Sequence, residues 1–216
     1  MNRIKKIASF CVGSQVVCDI GCDHAYSLIY AIKEYGVKKG IAVDIAEGPL
    51  SNAKKTIEEF QLSEKITTVL SDGFTSVDEP FDTAILSGMG GILICDILKR
   101  ALPKLKQKKL IIEANNDTYR IRQFLFEQGF YLVDEDALYD HKKYYEILVF
   151  EEGQKKYTDM EIIYGPILLQ KRPSAFLEHY TKKVQLLQSI LPSIVQEEEK
   201  KIKELQLLEI STVLKG

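Results

Sequence analysis

The chain has 216 residues, 45% of them hydrophobic and 28% charged, with a formal net charge of -2. This composition suits one sizeable core with a small appendage and excludes a disordered or fibrous chain. No apolar run approaches the roughly 20 residues that span a bilayer, and Met1 to Phe10 lacks the apolar centre of a signal peptide, so a cytoplasmic protein without a membrane partner is expected. Cys18 and Cys22 have no second cysteine pair to complete a zinc site, so Cys11, Cys18, Cys22 and Cys95 read as reduced thiols and no metal is expected. The net charge does not advertise nucleic-acid binding, although basic pairs such as Lys171-Arg172 and Lys182-Lys183 recur along the chain.

Through Phe150 the sequence alternates β-rich runs with helical stretches. Val16 to Ile20 predicts a buried strand and Ala25 to Tyr35 a helix; Gly40 to Asp44 and Pro49 to Phe60 repeat the pair. Ile66 to Leu70 is a third strand, Asp82 to Leu86 a fourth and Ile92 to Leu102 its helix. Leu110 to Ile112 lies in a fifth strand, and the helix from Thr118 to Gln128 stops at Gly129. Such alternation predicts an α/β fold with a parallel sheet covered on both faces. Phe130 to Val133 and Tyr144 to Phe150 follow as strands joined by a polar stretch, Asp134 to Lys143, with no crossover helix. A short connection of that kind makes an antiparallel pair.

After Gly153 the pattern changes, and Gly165-Pro166 and Pro173 punctuate a linker. Tyr180, Val184, Leu187, Leu191 and Ile194 recur at spacings of four and three, and Leu205 and Leu208 continue that register as a heptad-like seam. Pro192 interrupts a single helix. Two helices, about Pro173 to Ile190 and Ser193 to Leu214, are therefore expected to fold back as an antiparallel coiled-coil hairpin, with one kinked helix as the alternative. The expected division is residues 1–157 and 158–216.

A parallel sheet ending in an antiparallel hairpin resembles the Rossmann-like layout of class I methyltransferases. Asp19-Ile20-Gly21-Cys22-Asp23-His24-Ala25 sits where the first strand meets its helix, the position where open α/β sheets bind ligands. It lacks the further glycines of a dinucleotide fingerprint, and its acids would repel a pyrophosphate. They suit the cationic amino-acid end of S-adenosylmethionine, while Asp23 also reads as a helix N-cap. Asp44 ends the second strand, where an acid accepts from ribose hydroxyls, and Ile45 follows it. Asp72-Gly73 follows the third strand and is also a common turn pair. Ser87-Gly88-Met89-Gly90-Gly91 is too rich in glycine for ordinary packing, so its backbone is expected to approach a substrate closely.

Asp19 to Tyr26, Glu47 to Pro49, Gly88 to Gly91 and Tyr145 to Val149, in that order, resemble the bacterial tRNA (adenine-22-N1)-methyltransferase family, TrmK. The resemblance covers nearly the whole chain, helical tail included. Two departures from it stand out: Cys22 replaces a serine, and Glu113-Ala114-Asn115 replaces Gln-Pro-Asn, keeping the asparagine. The resemblance implies an enzyme that transfers a methyl group from S-adenosylmethionine to adenine N1 in tRNA; a monomer is expected, with pairing of two chains through the tail as the alternative. Asp19, Gly21, Asp23, His24, Asp44, Ile45, Asp72, Gly73 and Gly88 are then expected at the cofactor. Asp23, Gly88, Met89 and Asn115 are expected at the reacting atoms, with Tyr26, Met89, Gly90 and Gly91 at the base. Lys171, Arg172, Lys182 and Lys183 are expected against the tRNA body. Adenine N1 has an in-plane lone pair, so no general base is required, and His24 reads as structural. Two other classes compete: a class I methyltransferase acting on a small molecule or protein, and a non-enzymatic binding module using the tail.

Overall fold

Strand polarity follows from where the helices fall. The computed structural model describes residues 2–215; Met1 and Gly216, the outer limits of the two expected domains, lie outside the described residues. After α1 (Arg3–Ser9) come β1 (Val16–Ile20), α2 (Tyr26–Tyr35), β2 (Lys39–Asp44), α3 (Glu47–Glu59) and β3 (Ile66–Leu70). β4 (Thr83–Met89), α4 (Gly91–Leu105), β5 (Lys109–Ala114), α5 (Thr118–Glu127), β6 (Phe130–Asp140) and β7 (Lys143–Glu152) complete the sheet region. The sheet order is β3-β2-β1-β4-β5-β7-β6. β1 to β5 run parallel, and β7 is antiparallel to both β5 and β6. Strand order therefore reverses between β1 and β4, which opens a crevice at their carboxyl ends.

Alternation along each strand divides the core into two layers. Cys18, Ile41, Val43, Leu86, Leu110 and Ile112 face the layer beneath α4 and α5. Val17, Ala42, Ile85, Ile111, Ile147 and Val149 face the layer beneath α1, α2 and α3. Each such aliphatic side chain, fully buried, stabilises the fold by roughly 1.5–3 kcal/mol.

The polar stretch Asp134 to Lys143 is strand rather than connection. β6 continues to Asp140, and the hairpin closes on His141 and Lys142, both left-handed at φ 46° and 67°. Two consecutive left-handed residues make the tight turn whose twist matches the flanking strands. α1 was not expected; Asn2 caps it by accepting from the Lys5 N–H at 2.9 Å.

Beyond the hairpin the tail holds α6 (Asp159–Tyr164), α7 (Pro166–Lys171), α8 (Ser174–Ile190), a 3-10 turn at Leu191–Ser193 and α9 (Glu197–Lys215). α8 and α9 are antiparallel: Arg172, just before α8, donates to the Val213 and Leu214 carbonyls at the far end of α9. The break at Pro192 is borne out, and a single kinked helix is excluded. The seam differs from expectation. Tyr180 and Leu187 pack with Ile210 and Val213, whereas Leu205 and Leu208 are 59% and 67% exposed. The chain turns back between α8 and α9, so the register of one helix does not carry into the next. Ala137 of β6 and Tyr164 of α6 join this third cluster, seating the tail on the sheet edge.

Candidate active site

Three of the five residues between β1 and α2 have positive φ: Gly21 at 76°, Asp23 at 44° and Ala25 at 58°. Left-handed backbone at Asp23 and Ala25 costs of order 1 kcal/mol each and persists only where surroundings enforce it. The enforcement is visible, since the Gly21 and Cys22 N–H groups both donate to the Val43 carbonyl at the end of β2. Ala25 occupies the N-cap position of α2, with no side-chain cap, so Asp23 is not the helix cap that its residue type suggested. Its carboxylate is exposed, and His24 stands 3.9 Å from it, half exposed and stacked on Tyr26.

Asp19 is the unusual group. It is buried, and its Oδ1 has no hydrogen-bond partner. Burial pushes its carboxyl up to about 7, the Ser27 hydroxyl pulls the other way, and the Asp44 charge adds to the rise. An unpaired buried carboxylate is unfavourable until a cation or donor reaches it. The site therefore fits a cationic group at the end of β1. Asp44 follows at the end of β2, its Oδ1 accepting from the Ala46 N–H at 3.0 Å, and Ile45 beside it is 69% exposed, an uncovered apolar surface at a strand end.

The loop after β4 is held from both sides. Gly88, at φ 76°, forms an irregularity in the β4–β5 register, and a side chain there would meet nothing within 4 Å. Its N–H donates to Glu113 Oε2 at 3.1 Å, and its carbonyl accepts from Asn115 Nδ2 at 2.6 Å. Glu113 is fully buried, and Arg3 of α1 pairs with it at 2.8 Å. Burial raises the Glu113 carboxyl, against the pull of Arg3 and the Gly88 N–H. Lys143 of β7 donates to Asn115 Oδ1 at 3.1 Å. Met89 reaches across to β1, where its Cε lies 3.6 Å from the position of a Gly21 Cβ. Gly88, Met89, Asn115 and Gly21 are thus brought together around one opening.

Gly91 lies close against the protein itself. A Cβ there would lie 2.8 Å from the carbonyl oxygens of both Asn116 and Asp117. The close approach of the β5–α5 loop requires this glycine, and a Cβ on Gly90 would lie 3.2 Å from Asn116 Oδ1 of the same loop.

Other expected residues stand further out. Asp72 holds Arg100 of α4 in a two-pronged pair at 2.5 and 3.0 Å, which lowers its pKa. Gly73 has left-handed backbone close against Ile97. The recorded aromatic neighbours of Tyr26 are His24, Tyr30 and Phe60, none of them in the β4 or β5 loops. In the tail, Lys171 pairs with Asp134, Lys182 pairs with Glu178, and Arg172 satisfies the end of α9. Lys183 forms no ion pair among the described residues. Burial pushes all four thiols up, Cys95 to about 11 and Cys11 to about 12, so they remain protonated near neutrality.

Sequence reasoning missed the role of Arg3 and the charged cluster of Arg122, Glu135 and Glu146. Arg122 is fully buried, bonding Glu135 at 2.7 Å and Glu146 at 2.6 Å. The available signal was an arginine within the apolar face of α5, next to Ile121.

Among the described residues no helix is long and apolar enough to cross a membrane. The model of a family described as tRNA (adenine(22)-N(1))-methyltransferase matches residues 17–215. The Bacillus subtilis tRNA (adenine(22)-N(1))-methyltransferase is 32% identical over 217 residues, covering 94% of this chain and 91% of that protein. The crystal structure of Streptococcus pneumoniae Sp1610 in complex with S-adenosyl-L-methionine superposes with a TM-score of 0.89 at 33% identity, covering 99% of this chain and 100% of the other. M. capricolum TrmK bound to S-adenosyl-homocysteine gives a TM-score of 0.86 at 25% identity, covering 99% of this chain and 96% of the other.

Proposed function

The chain belongs to the tRNA (adenine(22)-N(1))-methyltransferase family, and we infer that it is an enzyme that methylates N1 of adenine 22 in tRNA with S-adenosyl-L-methionine. The family match over residues 17–215 carries this reading, because it spans the loops and the tail together. When bound, the cofactor would supply an electrophilic methyl group on a sulfonium: as the N1–carbon bond forms the carbon–sulfur bond breaks, the sulfur leaves as a neutral thioether and the positive charge passes to the base.

The chain's own residues have three tasks. Asp19, with its unpartnered Oδ1, suits the cationic amino-acid end of the cofactor, and Gly21 lets that end approach β1. Asp44 suits the ribose hydroxyls, and the exposed Ile45 gives the adenine an apolar face. Asp72, Gly73, Asp23 and His24 border this region. Adenine N1 attacks with its own lone pair, so alignment and exclusion of water are the main requirement. The fixed Gly88 backbone with Met89 and Asn115 serves that need, and negative ends of backbone dipoles there favour the charge developing on the base. The tail, residues 158–216, is proposed to bear on the tRNA body as a second unit beside a sheet domain of residues 1–157. The enzyme is proposed to act in the cytoplasm as a monomer, since α8 and α9 bury Leu187, Ile210 and Val213 within one chain.

The test is methyl transfer from labelled cofactor to bulk tRNA, total protein and free nucleosides in parallel. Label is expected in tRNA alone. Transfer to protein or free nucleosides in its place would overturn the reading.

A further inference from the structure

We propose that the cleft between the β6–β7 hairpin and α8 binds the tRNA strand adjoining the target base, with bases against its aromatic wall and phosphates on its lysines. The proposal rests on the tRNA reading above and adds a site to it. The cleft has a volume of about 930 Å³, bounded by Asn115 and Asn116 at one end, the hairpin tip on one side and α8 on the other.

Its position follows from the clamp on the acceptor loop. Asn115 lines the cleft and also holds the Gly88 carbonyl. A strand that presents a base beside Gly88 therefore has the cleft as its adjoining space. Both strands of the hairpin and α8 contribute to one aromatic wall. Tyr144 stacks on His179 with ring centres 4.0 Å apart and planes 13° apart, and Tyr139 meets Tyr144 edge-on at 5.8 Å. Across from it Tyr119, in the first turn of α5, is 37% exposed with the Arg120 guanidinium 5.2 Å from its ring centre. Aromatic faces of this kind take unstacked bases whatever their sequence.

Charge points the same way. Of the acids that line the cleft, Glu146 pairs with Arg122 and Asp117 lies 3.8 Å from Arg120, while Glu209 keeps its charge beside Tyr164. Lys142 and Lys143 at the hairpin tip and Lys183 on α8 have no ion-pair partner among the described residues. Four lysines against three acids leave the lining positive by one charge, which complements phosphate and opposes a basic peptide.

The experiment uses the full chain, an in vitro tRNA transcript and a salt series. Lys142→Ala with Lys183→Ala removes two of the three lysines without an ion pair; Tyr119→Ala removes an exposed ring. The double lysine variant is expected to lose about 1.4 units from the slope of log affinity against log salt, at roughly 0.7 per phosphate contact on a single strand. Tyr119→Ala is expected to weaken tRNA binding roughly tenfold at an unchanged slope. Cofactor titration and circular dichroism, unchanged in both variants, show that the fold is intact. Wild-type affinity and slope in both variants, from a chain that methylates tRNA, would overturn the cleft as a site. A wild-type chain that methylates another acceptor and not tRNA would overturn the function instead, so the two failures are distinct.

Discussion

Replacing Arg122 with methionine removes a buried charge while keeping most of its volume. In the native chain the Arg122 guanidinium donates to Glu135, to Glu146 and to the Ile162 and Ile163 carbonyls that end α6. Glu135 in turn accepts from the Ile167 and Leu168 N–H groups that begin α7. Gly165, between them, has φ 89°, and a side chain there would lie 2.8 Å from both Arg122 and Glu135. The cluster thus joins α5, β6 and β7 to the start of the tail. Without Arg122 two carboxylates remain buried with no cation, a loss of about 3–5 kcal/mol. For a chain of this size that corresponds to a melting point lower by about 6–20 °C. The pH dependence fixes the cause. Burial already raises the Glu135 carboxyl and Arg122 lowers it, so in the variant its folded pKa climbs further above the unfolded value. Protons bound in the folded state then stabilise the variant at low pH, and this stabilisation is lost as pH rises. Thermal unfolding followed by circular dichroism is expected to show a larger deficit at pH 8 than at pH 5. A deficit under 2 °C at pH 8, or one equal at both pH values, would refute the charge argument.

Asp44→Ala is expected to weaken cofactor binding by roughly 1–3 kcal/mol, the cost of unpaired polar partners; calorimetry giving unchanged affinity in a folded variant removes Asp44 from the site. His24→Asn is expected to keep most methylation at neutral pH, because His24 is half exposed and stacks on Tyr26; a rate lower by orders of magnitude with cofactor binding intact would make it catalytic. Burial holds the folded Asp19 pKa at about 7, above its ordinary value of 3.8. The stability this group gives the cofactor-free chain is therefore full below about pH 4 and is lost as pH rises through 7. Cofactor affinity is expected to run oppositely, rising roughly tenfold from about pH 6 to about pH 7.5 as Asp19 ionises, and Asp19→Asn is expected to flatten that rise; a flat profile in the parent chain would contradict the pairing.

The sheet was legible because β1 to β5 are short apolar runs separated by amphipathic helices, a pattern with one common solution. The second half of β6 was not, because Asp134 to Asp140 carries four acids and reads as a loop. The burial of Glu135 depends on Arg122, which is remote in sequence, and no local pattern reports that pairing. α1, α6 and α7 span seven, six and six residues, too short for periodicity to declare them. In the tail, the turn after α8 resets which face of α9 is buried, so Leu205 and Leu208 kept the spacing and lost the contact. At the candidate site, the motifs put Gly21 just after β1 and Gly88 at the end of β4, where the folded chain has them. They did not separate Gly88, which opens to space, from Gly91, which makes room for the next loop. Glu113 stood out as a departure in sequence, but its partner Arg3 lies 110 positions away and emerged only in the folded chain.

The central claim is tested most directly by mapping the methyl group. A tRNA transcript with adenine at position 22 and a matched transcript with guanine there are incubated with the enzyme and cofactor. Primer extension and mass spectrometry of nuclease digests then locate the product. The account predicts N1-methyladenine at position 22 in the first transcript and no methylation of the second. Methylation at another position, or equal transfer to both transcripts, would contradict it.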